Sequence, residues 1–146
     1  MAVAGLALVL ACAGIGISSY LIYVKLQGVA PICTIVHGCE TVQASSYSKV
    51  LGVPVAVPGI LGYIALAALA VAWMTNWRGL HAPATLAAFY IALFGFLFSM
   101  YLTYVEWQVI HAWCMWCIGS AISMSIVFAS WTVLMAREMR LRTAAA

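Results

Sequence analysis

The sequence predicts an all-α integral membrane protein: a four-helix bundle with a short amphipathic half-helix in its first outer loop. Three observations carry that expectation. Two thirds of the 146 residues are hydrophobic (67%) and the mean hydropathy is +1.13, far from the composition of a soluble domain. Only six Lys/Arg and three Asp/Glu are present. They cluster so that four windows, 1–24, 50–77, 79–105 and 107–136, carry no Lys, Arg, Asp or Glu. Each window exceeds the roughly 20 apolar residues needed to cross a bilayer. None alternates apolar with polar residues, so the runs read as helices rather than barrel strands.

The first helix is expected over about residues 3–26. A cleaved leader would need a basic start, and nothing before Lys25 is basic, so a retained span is expected. Cys12 lies mid-span without a sequence neighbour and reads as a small packing residue. The loop that follows holds Pro31, Cys33, His37, Gly38 and Cys39, with Pro31 and Gly38 marking turns. A helical run over about 41–51, stopped by Gly52 and Pro54, is too short to span and reads as a half-helix on the membrane surface. Pro58 and Gly59 open the second helix, over about 55–77, and Pro83 opens the third, over about 83–108. Proline is tolerated in a first helical turn, where its missing N–H has no partner. The fourth helix is expected over about 114–137, with a frayed tail at 138–146; the whole chain forms one membrane domain.

Basic residues in short loops are retained on the cytoplasmic side. Arg78, Arg137, Arg140 and Arg142 fall on one side, Lys25 and Lys49 on the other. Both termini are therefore expected in the cytoplasm, with the loops around residues 27–54 and 106–113 outside. Six basic residues spread along the chain form no patch, so nucleic acid is not an expected partner.

Four of the five cysteines border those outer loops as two pairs, Cys33 with Cys39 and Cys114 with Cys117. A Cys-x-x-Cys at a helix start places a sulfur near unpaired N–H groups and the positive end of the helix dipole, which favour a thiolate. The first pair, separated by five intervening residues in a Gly/Pro-containing loop, has room to close a small disulfide, either static or exchanging. Disulfides persist outside the cytoplasm, and neighbouring pairs exchange through mixed disulfides. A lipid-soluble quinone is the simplest sink for electrons arriving at a sulfur at membrane depth. No metal is expected, because the gap between Cys33 and Cys39 is too long for a zinc knuckle. A non-enzymatic membrane subunit or small transporter with static bridges is the alternative reading.

The order of these features resembles the vitamin K epoxide reductase family, specifically bacterial members without a fused thioredoxin-like domain. It rests on Cys33 and Cys39 in the first outer loop, Ser45 six residues on, a Gly/Pro-rich re-entry over 52–62, and Cys114-Met115-Trp116-Cys117 opening helix four. In the quinone-linked DsbB-type bundles the Cys-x-x-Cys comes in the first outer loop; here it comes second. The resemblance implies a relay in a bacterial cytoplasmic membrane, with its redox cysteines near the extracytoplasmic face. Cys33 would meet an extracytoplasmic thioredoxin-fold (DsbA-like) partner, Cys39 would exchange with Cys114, and Cys117 would reduce a quinone, supporting disulfide bond formation. Ser45 matches the Ser/Thr kept beside the redox centre. Pro58 and Ala121 stand where members specialised for vitamin K carry an asparagine and a tyrosine. An ordinary respiratory quinone, ubiquinone or menaquinone, is therefore the expected co-substrate.

Gly95, Phe98, Leu102 and Glu106 recur at i, i+3 or i+4, so they share a helix face that would line a quinone cleft if turned inward. With Leu61, and with Ser45 and Tyr47 above it, Phe98, Leu102 and Glu106 make up the expected quinone site. Glu106 is the only acid within reach of the membrane region, and snorkelling to the interface is its other reading. His37 and His111 flank the cysteines and read as solvated loop residues or proton carriers. Tyr101, Tyr104, Trp107, Trp113 and Trp116 crowd the outer helix ends, as interfacial aromatics do.

Overall fold

The computed structural model describes residues 1–34, 38–75, 79 and 81–145. His37, Trp77 and Arg78 lie outside the described residues. The order is α1 (Ala2–Gln27), α2 (Cys39–Ala44), a 3-10 turn (Ser46–Ser48), β1 (Lys49–Val50), β2 (Val53–Pro54), α3 (Ala56–Met74), α4 (His81–Val105), a π turn (Glu106–Ile110) and α5 (Met115–Ala145). Among the described residues, four helices are long and apolar enough to cross a membrane, and the chain is an integral membrane protein.

The four long helices form a ring in which α1 packs on α3 and α5, and α4 packs on the same two helices. Lipid tails are as apolar as leucine, so close backbone approach rather than hydrophobicity must hold such helices together. The sequence supplies small residues at the contacts. Along α1 the buried positions are Ala4, Ala7, Ala11, Gly14 and Ser18, and along α4 they include Ala84, Ala88 and Ala92. Bulk comes from the facing helices: Trp131, Met124 and Val127 of α5 and Tyr63 and Leu66 of α3 fill the space these residues leave. Cys12 lies on the exposed flank of α1 instead of in this core.

Several hydroxyls inside the spans are satisfied within their own helices. Thr85, Thr103, Ser123, Ser125 and Ser130 each donate to the carbonyl four residues back, at 2.7 to 2.9 Å. Gly28 ends α1 in the left-handed conformation (φ 66°), and its N–H and that of Val29 close onto Lys25 and Val24.

The segment expected as a half-helix over 41–51 is built differently. Helix α2 begins earlier, at Cys39, and stops at Ala44. Serine side chains compete there for helical carbonyls: Ser45 Oγ donates to Val42 O at 2.7 Å, and Ser48 Oγ to Gln43 O at 2.8 Å. Lys25 Nζ reaches down from α1 to the same Gln43 carbonyl and to Ser48 Oγ. The chain then turns through Leu51 (φ 52°) and Gly52 (φ 83°) into a two-stranded hairpin pairing Lys49 with Pro54. Both central residues have positive φ, as a tight two-residue hairpin loop requires. At the other end of the molecule, α5 continues to Ala145 where a frayed tail was expected from 138.

Gly14 is the tightest of the helix contacts. A Cβ there would strike the Tyr63 ring, and that ring cannot swing freely because its hydroxyl donates to Ser120 O at 2.8 Å and pairs with Ser120 Oγ at 2.9 Å. Gly14→Ala should therefore destabilise the bundle by about 1–3 kcal/mol. Gly5→Ala, on the same helix with nothing within 4 Å of the new methyl, should be neutral or slightly stabilising. Unfolding titrations of the two variants in mixed micelles check the contrast.

Candidate functional site

The α-helical ladder of α4 ends at Val105, and residues Glu106–Ile110 wind a single wider turn closed by His111 in the left-handed conformation (φ 55°). Such π turns recur at functional sites because they re-aim a few side chains without breaking the helix. Here the turn is organised by Glu106. Its carbonyl accepts the His111 and Ala112 N–H groups, the latter at 3.2 Å. Its carboxylate, on a residue only 3% exposed, accepts the Cys114 N–H at 3.2 Å. One residue thus ends α4 and fixes where α5 begins.

Cys114 sits at the start of α5, where its carbonyl accepts the Ile118 N–H at 3.0 Å and its sulfur faces the free N–H groups of Trp116 and Cys117. A hydrogen bond from the Cys117 thiol is the largest influence on Cys114 and holds its thiol below the ordinary value; burial opposes it, the Cys117 and Trp116 N–H groups reinforce it, and the Glu106 charge opposes it. Cys117 lies one turn deeper in α5.

The loop pair is held against this helix start. Cys33 and Cys39 are joined in a disulfide, their Cα atoms 6.3 Å apart, while Cys114 and Cys117 are free thiols. Cys39, Val42 and Cys114 form one buried cluster, and Cys33, Trp116 and Cys117 pack on it. Two contacts fix the register. Ile32, immediately before Cys33, donates its N–H to Tyr20 Oη at 3.0 Å and accepts the Trp116 Nε1–H at 2.9 Å. The Tyr20 and Trp116 rings are in turn in contact, with centroids 4.7 Å apart. On the other side of the disulfide, Gly38 lies flat on the Trp113 backbone, where any Cβ would come within 2.6 Å of the Trp113 nitrogen.

Beneath the cysteines a cavity of about 260 Å³ runs into the bundle. Its α4 wall includes Gly95, Phe98, Leu102 and Glu106, so the face marked by that spacing points inward. Opposite stand Ser18 and Leu21 of α1, Pro58 and Tyr63 of α3, and Cys117, Ser120 and Ala121 of α5. Cys117 is the only cysteine in the wall. The lining is mostly apolar with a few polar groups, the usual make-up of a small-molecule site.

Three expected quinone-site residues do not line this cavity. Leu61 is 63% exposed on the outer flank of α3, because the helix turns Gly59, Gly62 and Tyr63 inward instead. Ser45 ends α2, its hydroxyl taken by Val42. Tyr47, 43% exposed, points away from the bundle from the 3-10 turn that replaces the half-helix. Sequence reasoning missed Tyr63 and read Trp116 as an interfacial anchor. Its only sequence signal was its place inside the Cys-x-x-Cys, and Tyr63 had none in an unbroken apolar run.

The model of the family described as the Vitamin K epoxide reductase family matches residues 6–132, from the second turn of α1 into α5, with both cysteine pairs inside the match.

Two outcomes follow from the geometry. Gly38→Ala should push the loop disulfide off the Trp113 backbone and slow exchange between the two pairs by about 10- to 100-fold, given how steeply such reactions depend on placement; rapid-quench alkylation of the thiols measures it. Cys117→Ala removes the main hydrogen bond to Cys114, so the pH at which Cys114 ionises should rise, read from a titration of thiolate ultraviolet absorbance.

Proposed function

Since the chain belongs to the vitamin K epoxide reductase family, whose members are thiol-disulfide oxidoreductases, we propose that it passes electrons from an extracytoplasmic thioredoxin-fold protein to a membrane quinone, driving disulfide bond formation. The observation that carries this reading is the double position of Cys117. It packs in the cysteine cluster and also lines the cavity, the one sulfur to touch both.

Each residue then has a role. Cys33, the more accessible partner of the loop disulfide, is attacked by the reduced thioredoxin-fold protein, expelling Cys39; the partner's second thiol then displaces Cys33, and the partner leaves oxidised with both loop cysteines as thiols and Cys39 buried against Cys114. Cys39 attacks Cys114 of an oxidised Cys114–Cys117 pair and expels Cys117; Cys33 then attacks Cys39 and expels Cys114, so that the loop disulfide re-forms and Cys114 and Cys117 are left as thiols. The described state, with the loop oxidised and those two thiols free, is the product of that step. A lowered ionisation point makes Cys114 the better leaving group in the exchange. The quinone, bound in the cavity, accepts two electrons and two protons and leaves as quinol. Phe98 and Leu102 face its ring, and Glu106 lies at the cysteine end.

The distribution of charge supports an orientation with both termini in the cytoplasm and the cysteines at the extracytoplasmic surface. Arg137, Arg140 and Arg142 sit on the last turns of α5, at the end of the bundle away from the cysteine cluster.

Reconstituted with a short-chain ubiquinone and a reduced thioredoxin-fold substrate, the wild type should form quinol, and Cys114→Ala and Cys117→Ala should lose essentially all turnover. Unchanged turnover in either would refute the relay. Cys39→Ala, whose Cys33 is a free thiol, should attack the oxidised form of the thioredoxin-fold protein and accumulate a mixed disulfide with it, visible as a reductant-sensitive gel shift. A merely structural loop bridge would give none.

A further inference from the structure

Glu106 is more than a brace for the α4–α5 turn. The geometry points to it as a catalytic proton carrier, which takes the Cys117 thiol proton and delivers it to the quinone oxygen as the Cys114–Cys117 disulfide forms. This rests on the quinone-linked reading above and assigns to one residue a step that reading leaves open.

Three features support it. The carboxylate is at the junction of the two reacting parts, hydrogen-bonded to the Cys114 N–H and in the wall of the cavity together with Cys117. It is buried at the end of a membrane-spanning helix, and among the described residues no cation pairs with it. An ionisable side chain at such a place is costly, and accepting one backbone N–H is a task an uncharged amide performs equally well. Finally, few groups compete for the role. Among the described residues, the titratable side chains lining the cavity are Tyr63, Cys117 and Glu106, and the Tyr63 hydroxyl is committed to Ser120. Cys114 faces Glu106 from the start of α5, and Lys25 of α1 is held by Gln43 and Ser48. His111, which follows the π turn, is exposed.

The step balances. The S–H bonds of Cys114 and Cys117 break, one S–S bond forms, and the two electrons released reduce the quinone, on which two O–H bonds form. The Cys117 proton travels through the carboxylate. The Cys114 proton leaves to water at the loop side, and one proton from water completes the quinol. Glu106 must be ionised to accept and is regenerated ionised after it donates.

Glu106→Gln separates carrying from bracing, because the amide oxygen still accepts the Cys114 N–H while the side chain can no longer take a proton. The full-length protein in lipid is given dithiothreitol as donor and a short-chain ubiquinone as acceptor. Quinol formation by Glu106→Gln should fall roughly 100-fold in kcat with the quinone KM unchanged. The wild-type rate should decline on the acid side as the carboxylate protonates; that limb should vanish in Glu106→Gln and return in Glu106→Asp. Single-turnover passage of electrons from dithiothreitol through the loop into an oxidised Cys114–Cys117 pair, followed by alkylation and mass measurement, should change far less than quinol formation, its only effect being loss of the Glu106 charge beside Cys114. A Glu106→Gln protein with wild-type kcat and an intact acid limb would overturn the proposal. So would equal loss of both half-reactions, which is the signature of bracing alone. A wild type that makes no quinol while its thiols still exchange would instead bring down the quinone-linked reading, and this one with it.

Discussion

A buried backbone N–H without a partner is costly, and the redox end of this molecule is arranged around that constraint. Between the last α-helical bond of α4 and the first of α5, the chain must reverse direction while keeping its polar groups paired. The π turn begins the reversal, the Glu106 carbonyl gathers the His111 and Ala112 N–H groups, and the Glu106 carboxylate takes that of Cys114. Cys114 Sγ in turn faces the next free N–H groups of the helix, those of Trp116 and Cys117. Solving the backbone problem therefore places a sulfur where a thiolate is favoured. Structure and reactivity have one cause here.

The loop disulfide depends on the same turn. Gly38 rests on the Trp113 backbone, and Trp116 Nε1 holds the Ile32 carbonyl, so both flanks of the Cys33–Cys39 bridge are registered against residues of the Cys-x-x-Cys segment or its immediate neighbour. Lys25 ties the descending limb to α1 through Gln43 and Ser48. This leaves a loop pinned at both flanks with Cys33 as its more accessible sulfur, suited to meeting a partner on one side and Cys114 on the other.

Deeper in the bundle, the size of residues decides what is filled and what is open. Where alanines and glycines of α1 and α4 face Trp131 and Leu66, the helices close into a core; toward the cysteine end, Ser18, Gly59, Gly62 and Gly95 leave the space that becomes the cavity. Met124 closes against Gly95 and forms part of the cavity wall at the level where core gives way to opening.

The sequence by itself determined the four spans, the pairing of cysteines by position and the family, because length, charge spacing and Cys-x-x-Cys order do not depend on how helices face one another. The face of α4 that lines the cavity was marked by its spacing but left open, since Glu106 could equally have snorkelled to the interface. Other faces were not marked. Leu61 sits in a helix apolar all round, and in a bilayer the lipid and the bundle interior accept the same side chains, so no amphipathic signal distinguishes its exposed flank from that of Tyr63. Only the tertiary structure could turn Tyr63 to Ser120 and Leu61 outward. It also decided the fate of the segment after Cys39: serine hydroxyls captured carbonyls that a longer helix needs, and a hairpin followed. What the structure adds to the cysteines is contact, because residues far apart in the chain become neighbours only when α1, α4 and α5 close around the turn that Glu106 holds.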